Sequence, residues 1–451
     1  MTSEDTLDDD LELIAQRSHA VPALFVGLHA DAPRQTSARI SLARLGCLHI
    51  GRAASGIELY EVESGAVLRL PDPRLSRSHA RLSYMAGAWV LEDLQSKNGV
   101  RVGSERIQQR ELVDGDVILV GHTFLVFRSH GGERSTLLDM PSSVTPSLAT
   151  LSPLLRGQLA ELAMAARSTT CVEIRGESGT GKELVARAVH ELSNRRGPFV
   201  AVNCGSLPQT LFEGELFGHR RGAYTGASEE RPGLIRSSDG GTLFLDEVAE
   251  LPPASQPALL RVLQESEVTP LGADRAVRVN LRVVTATHRD LDAEVAAGRF
   301  RADLRARLLG LQLDLPPLRE RREDLGMIIA SILERFAPRE LSLSLEAAMA
   351  LYSYDWPLNV RELERALVAA ASVAHDRIEM GHLSSMLRKS PPESILLPID
   401  DDELRARLAS SIEQTGGNLA AVARELCKDR TQVRRWMKRF GLARGSMPIR
   451  A

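Results

Sequence analysis

Three folded units of different class are predicted in this chain of 451 residues: an all-β sandwich, an α/β unit ending in an α-helical part, and a small all-α unit. Three observations predict them. Between residues 20 and 128, short alternating stretches such as Ala80-Arg81-Leu82-Ser83-Tyr84, Trp89-Val90-Leu91 and 117–127 are punctuated by turn residues, among them Asn98-Gly99 and Asp114-Gly115. From 154 to about 388, apolar strand-like runs alternate with helical patterns. From 401 to 445 the apolar spacing is helical. Residues 129–153, rich in Ser, Thr, Gly and Pro, and 389–400, with Pro391-Pro392, read as linkers, and 1–19 as an acidic tail.

Composition excludes several classes. With 43% hydrophobic and 25% charged residues, and 56 Lys and Arg against 59 Asp and Glu, the chain is neither collagen, a coiled-coil rod nor wholly disordered. Apolar runs such as 20–28 reach about half of the ~18 residues that a membrane span needs, so a soluble, cytoplasmic protein without membrane contact is expected. Cysteines at 47, 171, 204 and 427 lack metal-type spacing and read as reduced thiols. Charge is uneven. Residues 1–12 hold six acids and no base, whereas 424–450 hold nine Arg or Lys and two acids, a bias that suits a polyanion.

In the central unit the strand-like Cys171-Val172-Glu173-Ile174-Arg175 runs into Gly176-Glu177-Ser178-Gly179-Thr180-Gly181-Lys182-Glu183, and helical spacing follows. This is a P-loop in its setting: glycines let backbone N–H groups face phosphates, the helix N-terminus adds positive charge, and Lys182 reaches the β and γ phosphates. Glu183 stands where a hydroxyl residue commonly serves Mg²⁺. Further on, Gly241-Thr242-Leu243-Phe244-Leu245-Asp246-Glu247 ends an apolar strand in two carboxylates. Asp246 would hold the Mg²⁺ of ATP, and Glu247 would orient or deprotonate the attacking water.

These motifs, together with Glu215-Leu216-Phe217-Gly218-His219-Arg220-Arg221-Gly222-Ala223-Tyr224-Thr225-Gly226-Ala227, closely resemble the AAA+ domain of bacterial sigma-54-dependent transcriptional activators, the enhancer-binding proteins. The resemblance implies an AAA+ P-loop ATPase with an α-helical lid subdomain from about residue 317. In that family the loop corresponding to Gly222, Ala223, Tyr224, Thr225, Gly226 and Ala227 touches sigma-54, and Tyr224 retains the family's aromatic ring. Glu183 after the P-loop lysine is a family feature, so it joins the implied nucleotide site. Asn203 resembles the residue that restrains the catalytic glutamate. Thr287 and His288 resemble sensor I, with His288 where many members have Asn. Arg301 and Arg307 resemble arginine fingers given to a neighbour's ATP. Trp356-Pro357-Leu358-Asn359-Val360-Arg361-Glu362-Leu363 resembles sensor II, with Leu358 for the usual Gly and Arg361 reaching the nucleotide. A site completed in trans implies a homo-oligomeric ring, usually a hexamer.

The N-terminal unit has a signature of its own. Gly51-Arg52, Ser76-Arg77-Ser78-His79 and Ser96-Lys97-Asn98-Gly99 resemble the forkhead-associated (FHA) domain, a phosphothreonine reader. The spacing places Arg52, Ser76, Arg77, Lys97 and Asn98 on loops at one end of a sandwich, where they would hold phosphate oxygens and peptide backbone. His79 reads as a buried structural residue. At the C-terminus, Leu419, Val422, Ala423 and Leu426 have core spacing, while Thr431, Gln432, Arg434, Arg435 and Lys438 give the last helix a polar, basic surface. This resembles the Fis-type helix-turn-helix of sigma-54 activators, a fit for upstream enhancer DNA.

The combined reading is a regulator in which ATP hydrolysis drives the Tyr224 loop against sigma-54 and remodels the closed RNA polymerase complex, under control of a phosphothreonine protein or peptide. Two other readings remain open: a DNA-binding AAA+ regulator that never activates sigma-54, and an AAA+ remodeller with a phosphopeptide adaptor.

Overall fold

The computed structural model describes residues 21–35, 37–132, 137–141, 143, 145, 148–206, 208–223, 229–337, 339–383 and 387, and, near the C-terminus, 405, 408–412, 415, 419, 422, 437 and 440. Two units separate, 1–391 and 392–451.

The first unit begins with strands β1 (Val21–His29), β2 (Ala38–Ser41), β3 (Cys47–Arg52), β4 (Glu58–Val62), β5 (Gly65–Leu70), β6 (Ala80–Met85), β7 (Ala88–Asp93), β8 (Val100–Val102), β9 (Glu105–Ile107), β10 (Gln109–Glu111), β11 (Val117–Val120), β12 (Thr123–Gly132) and β13 (Leu138–Asp139). They form two sheets, β13-β2-β1-β12-β11-β8-β9 and β10-β7-β6-β3-β5-β4. Alternation turns Leu48 and Ile50, Leu68 and Leu70, Leu82 and Leu91 inward to one core with Trp89 and Phe127. The segment 129–153, read as a linker, is instead partly built into the fold. Its first residues continue β12, Leu138 and Asp139 pair with Ile40 and Arg39, and the Thr150 hydroxyl and Leu151 N–H donate to Asp324 at 2.8 and 2.7 Å. Composition marked this stretch as irregular; long-range contacts fix its described residues 138–139 and 150–151.

The α/β core follows. Helix α1 (Pro153–Ala165), N-capped by the Ser152 hydroxyl, leads to β14 (Val172–Arg175), the glycine loop and α2 (Lys182–Leu192). Then come β15 (Phe199–Asn203), α3 (Gln209–Phe217), α4 (Gly233–Ser237), β16 (Thr242–Asp246), α5 (Gln256–Glu265), the short ribbon β17 (Glu267–Val268) and β18 (Val277–Arg278), β19 (Arg282–Thr287), α6 (Leu291–Ala296), α7 (Ala302–Leu308) and β20 (Leu311–Asp314). The five long strands are parallel, in the order β15-β16-β19-β14-β20. Side chains alternate between two apolar layers, Leu243, Leu245 and Val283 on one face and Phe244, Val284 and Ile174 on the other. Within this sheet Glu173 is fully buried and accepts from Arg305 at 2.7 Å and Arg175 at 2.8 Å.

The lid comprises α8 (Leu325–Phe336), β21 (Ser342–Leu343), α9 (Leu345–Ser353), α10 (Asn359–Val373) and β22 (Arg377–Ile378). In the second unit, Leu408, Leu419, Val422 and Met437 form a small apolar cluster joined by Ile412 and Phe440. Among the described residues no helix is long and apolar enough to cross a membrane.

Replacing Arg305 by Met leaves the Glu173 carboxylate in the sheet without its main guanidinium partner. The expected destabilisation is about 3–5 kcal/mol, read as a shift of the core's unfolding transition to lower urea. An unchanged midpoint contradicts a structural role for this pair.

Candidate nucleotide site

The strand order decides what meets what. Because β19 lies between β14 and β16, their carboxyl ends bring the P-loop, Thr287-His288 and Asp246-Glu247 to one edge. The Gly176 N–H donates to the Thr287 carbonyl at 3.2 Å, so Thr287 serves the loop through its backbone, while its hydroxyl bonds Arg289. The buried Lys182 ammonium donates to the Gly176 carbonyl at 2.8 Å and the Glu247 Oε1 at 3.3 Å. Glu183 departs from the reading that put it in the cradle. It lies on the exposed side of α2 and pairs with Arg187 one turn on, at 2.7 Å.

Asn203 also departs from its expected role. Its amide donates to Asp246 Oδ2 at 3.3 Å, because β15 and β16 are in register at Asn203 and Asp246. Glu247 is held instead by His288, whose Nδ1 donates to Oε2 at 2.6 Å. Glu247 sits in the left-handed region, φ 52°, which turns its side chain off the strand and back toward β19. Burial works to raise its pKa, but the His288 hydrogen bond and the Lys182 charge hold it below the usual carboxylate range. Asp246 goes the other way, pushed up by burial and by the Glu247 charge. The Cys204 thiol records the same negative field: burial and the carboxylates of Asp246, Glu247 and Glu250 push it up to about 12. A group of oxygen donors with excess negative charge fits Mg²⁺.

The lid meets the P-loop directly. Arg361 donates to the Ser178 hydroxyl at 3.1 Å. Asn359, buried and at φ 54°, donates to the Ser178 carbonyl at 3.0 Å and Glu177 at 3.1 Å and accepts from the Leu318 N–H at 2.8 Å. A Cβ at Gly179 would overlap the Leu358 carbonyl. Arg319 pairs with Glu177 at 2.6 Å, and Arg321 donates to the Thr180 carbonyl at 2.8 Å. The sequence reading missed Asn359, Arg319 and Arg321, since their roles arise only when two subdomains close on one loop. Behind the loop a cavity of about 170 Å³ is lined by apolar Leu155, Leu184, Ile328, Ile332 and Phe336 together with Arg321, Arg335 and Glu364.

Residues 219–231 leave and return at one point: His219 and Arg231 form a bridge, and the Arg220 N–H donates to the Leu271 carbonyl at 3.0 Å. Gly222 (φ 80°) and Ala223 lie at the described edge of this loop; Tyr224, Thr225, Gly226 and Ala227 lie outside the described residues. On the core surface, exposed Arg301 pairs with Asp303 at 2.7 Å and Arg307 donates to the Leu263 carbonyl at 2.8 Å. Buried Gln256 braces the turn before α7 by bonding the Arg299 carbonyl and the Arg301 N–H.

At the end of the sandwich, Arg52, Arg77 and Lys97 are exposed around Ser76. The Arg52 N–H donates to the Ser76 carbonyl at 3.1 Å and the Lys97 N–H to the Ser76 hydroxyl at 3.2 Å, while Asn98 braces the Arg74 carbonyl at 2.7 Å. A Cβ at Gly51 would overlap the Arg77 carbonyl, which explains glycine before Arg52. Fully buried His79 ties these loops together. Its Nδ1 accepts from the Ser76 N–H at 3.0 Å, so Nε2 carries the proton toward the Gly99 carbonyl at 3.2 Å. Thr431, Gln432, Arg434, Arg435 and Lys438 lie outside the described residues.

A P-loop on a parallel sheet, a carboxylate pair at the next strand ends and a helical lid touching the loop define an AAA+ ATPase, here preceded by an FHA-type sandwich. Residues 148–314 match the sigma-54 interaction domain, 319–395 the AAA+ ATPase lid domain and 48–121 the FHA domain. The transcriptional regulatory protein ZraR of Salmonella typhimurium is 42% identical over 305 residues, 65% of this chain and 69% of the relative. The response regulator protein PilR of Pseudomonas aeruginosa is 42% identical over 307 residues, 64% of this chain and 69% of that protein. NtrX from Brucella abortus, solved in complex with ATP, is similar at 28% identity over 66% of this chain and 70% of its own, TM-score 0.48. The chain belongs to the family of sigma-54-dependent transcriptional activators.

Burial lowers the pKa of His79, against the opposing pull of the Gly99 carbonyl and of Asp93 and Asp72. Below its ordinary value of ~6.5 the unfolded chain binds a proton that the folded imidazole refuses, so stability falls as pH drops through that range. The sandwich's melting temperature is expected to fall between about pH 7.5 and about pH 5.5, and His79→Gln is expected to flatten that slope; an unchanged slope contradicts a buried neutral His79.

Proposed function

We propose that this protein activates transcription by hydrolysing ATP in a homo-oligomeric ring, a hexamer in the family's usual form, and driving the loop of Gly222, Ala223, Tyr224, Thr225, Gly226 and Ala227 against sigma-54. The closed RNA polymerase complex is thereby remodelled. The observation that carries this reading is the loop root. Its two ends are closed on each other by the His219–Arg231 bridge and tied to the core that holds the nucleotide cradle by the His219–Leu271 bridge, so displacement of the core would be delivered to the loop.

Hydrolysis follows from the site's own groups. Lys182 now divides its bonds between the Gly176 carbonyl and Glu247. Phosphates entering the P-loop compete for that ammonium, and its departure raises the basicity of Glu247 while His288 keeps the carboxylate aimed. Glu247 then takes the proton of the attacking water. Asp246 would hold Mg²⁺, which screens phosphate charge when bound. Arg361 would exchange Ser178 for the nucleotide. Arg301 and Arg307, exposed on the core, would exchange their present partners for a neighbour's γ-phosphate.

Arg52, Ser76, Arg77, Lys97 and Asn98 would read a phosphothreonine. Thr431, Gln432, Arg434, Arg435 and Lys438 would contact upstream enhancer DNA and concentrate subunits there. The direct test is in vitro transcription from a sigma-54 promoter with purified protein. Glu247→Gln is expected to lower kcat for ATP by about 10²–10⁴-fold while nucleotide still binds. Thr225→Ala is expected to leave ATPase intact and abolish open-complex formation. Full transcription by Thr225→Ala rules out loop contact as the output, and an unchanged DNA footprint in an Arg434→Ala, Arg435→Ala double variant rules out those residues as the DNA contact.

A further inference from the structure

Helix α8 has two working faces. Met327, Ile328, Ser331, Ile332, Arg335 and Phe336 line the cavity behind the P-loop. The opposite side rests on the sandwich. A Cβ at Gly326 would overlap the Gly27 carbonyl of β1, so Gly326 permits backbone-to-backbone approach, while a Cβ at Gly27 would overlap the Tyr352 hydroxyl of α9, for which Gly27 leaves room. The Tyr352 ring stacks on Phe124 of β12, centroids 4.9 Å apart and planes 1° from parallel. Arg34 donates to the Leu333 carbonyl at 2.9 Å, to the Ala337 carbonyl and to the Arg339 carbonyl at 2.8 Å, capping the C-terminal end of α8. The Leu343 N–H donates to the Ala30 carbonyl at 2.7 Å.

A second line of contacts runs through 318–324. From β12, Arg128 bonds Glu323 at 2.8 Å and also the Glu320 carbonyl. In the same segment Arg321 bonds the P-loop at Thr180, and Asp324 holds Thr150 and Leu151 ahead of α1. The segment therefore touches the sandwich on one side and the P-loop on the other.

We propose that the sandwich is the rear support of the nucleotide pocket, so that ATP affinity depends on its docking against α8 and 318–324. Resting on the reading of the Arg52 and Ser76 loops as a phosphothreonine site, the same surface makes phosphothreonine and ATP binding reciprocal. The ligand loop is rooted at buried Asp72, which accepts from the His122 N–H at 2.7 Å and Thr123 at 2.9 Å and faces His29 at 3.7 Å. The next residue, Ala30, is the one bonded to Leu343.

The test measures ATPγS affinity by calorimetry on the full chain. Gly326→Ala favours an isolated helix, yet its Cβ against the Gly27 carbonyl forces the sandwich off. A loss of fivefold or more in ATPγS affinity is expected, with Arg34→Ala and Arg128→Ala, which introduce no clash, moving the same way. Affinities within twofold of wild type in all three, with unchanged circular dichroism, overturn the support. In a second arm, a pool of phosphothreonine peptides and the same pool unphosphorylated are titrated with and without saturating ATPγS. Nucleotide is expected to change phosphopeptide affinity by the factor that peptide changes nucleotide affinity, and to change it less in Gly326→Ala. Phosphopeptide binding indifferent to nucleotide overturns the coupling. No preference for the phosphorylated pool overturns the phosphothreonine reading alone, because the first arm decides the support without any peptide.

Discussion

The arrangement of this protein's chemistry depends on one constraint, the order of five parallel strands in the ATPase core. With β19 between β14 and β16, the Thr287 carbonyl reaches the Gly176 N–H and the His288 imidazole reaches Glu247. Move β19 from between β14 and β16 and its Thr287 and His288 no longer meet both the P-loop and the carboxylate pair. The buried Arg305–Glu173 pair reinforces that order, because Glu173 lies on β14 while Arg305 comes from α7.

Charge then separates two adjacent carboxylates. Asp246 is raised and Glu247 lowered although they are neighbours in sequence, since only Glu247 receives the Lys182 and His288 donors. The two neighbours therefore meet different surroundings, Glu247 accepting from Lys182 and His288 and Asp246 from Asn203. Lys182 is the adjustable member. It is bound to the loop and to Glu247, and in the proposed hydrolysis a phosphate competes for both contacts.

The sandwich presents two distinct surfaces. Its loop end gathers exposed Arg52, Arg77 and Lys97 around a backbone frame tied by His79. Its β1 and β12 side packs on the lid through glycine, stacked rings and arginine. This packing gives the sandwich a connection to the lid that is separate from whatever ligand its loops select. The adjoining stretch 129–153 confirms how far the packing extends, since its composition suggested a tether and its Thr150 and Leu151 are bonded to buried Asp324.

Some of this was legible in the chain alone. The strand, glycine loop and helix around Lys182, the Asp246-Glu247 strand end and the alternating strands of the sandwich are local patterns, because backbone conformation and side-chain periodicity act over a few residues. Partner choice was not. That Asn203 bonds Asp246 while His288 takes Glu247, that Glu183 faces solvent, that Asn359 and Arg321 brace the P-loop, and that Gly27 meets Gly326 were settled by the tertiary structure. Such contacts join residues far apart in sequence. Their existence depends on strand order, register and the closeness of two backbones, and no local spacing encodes those quantities.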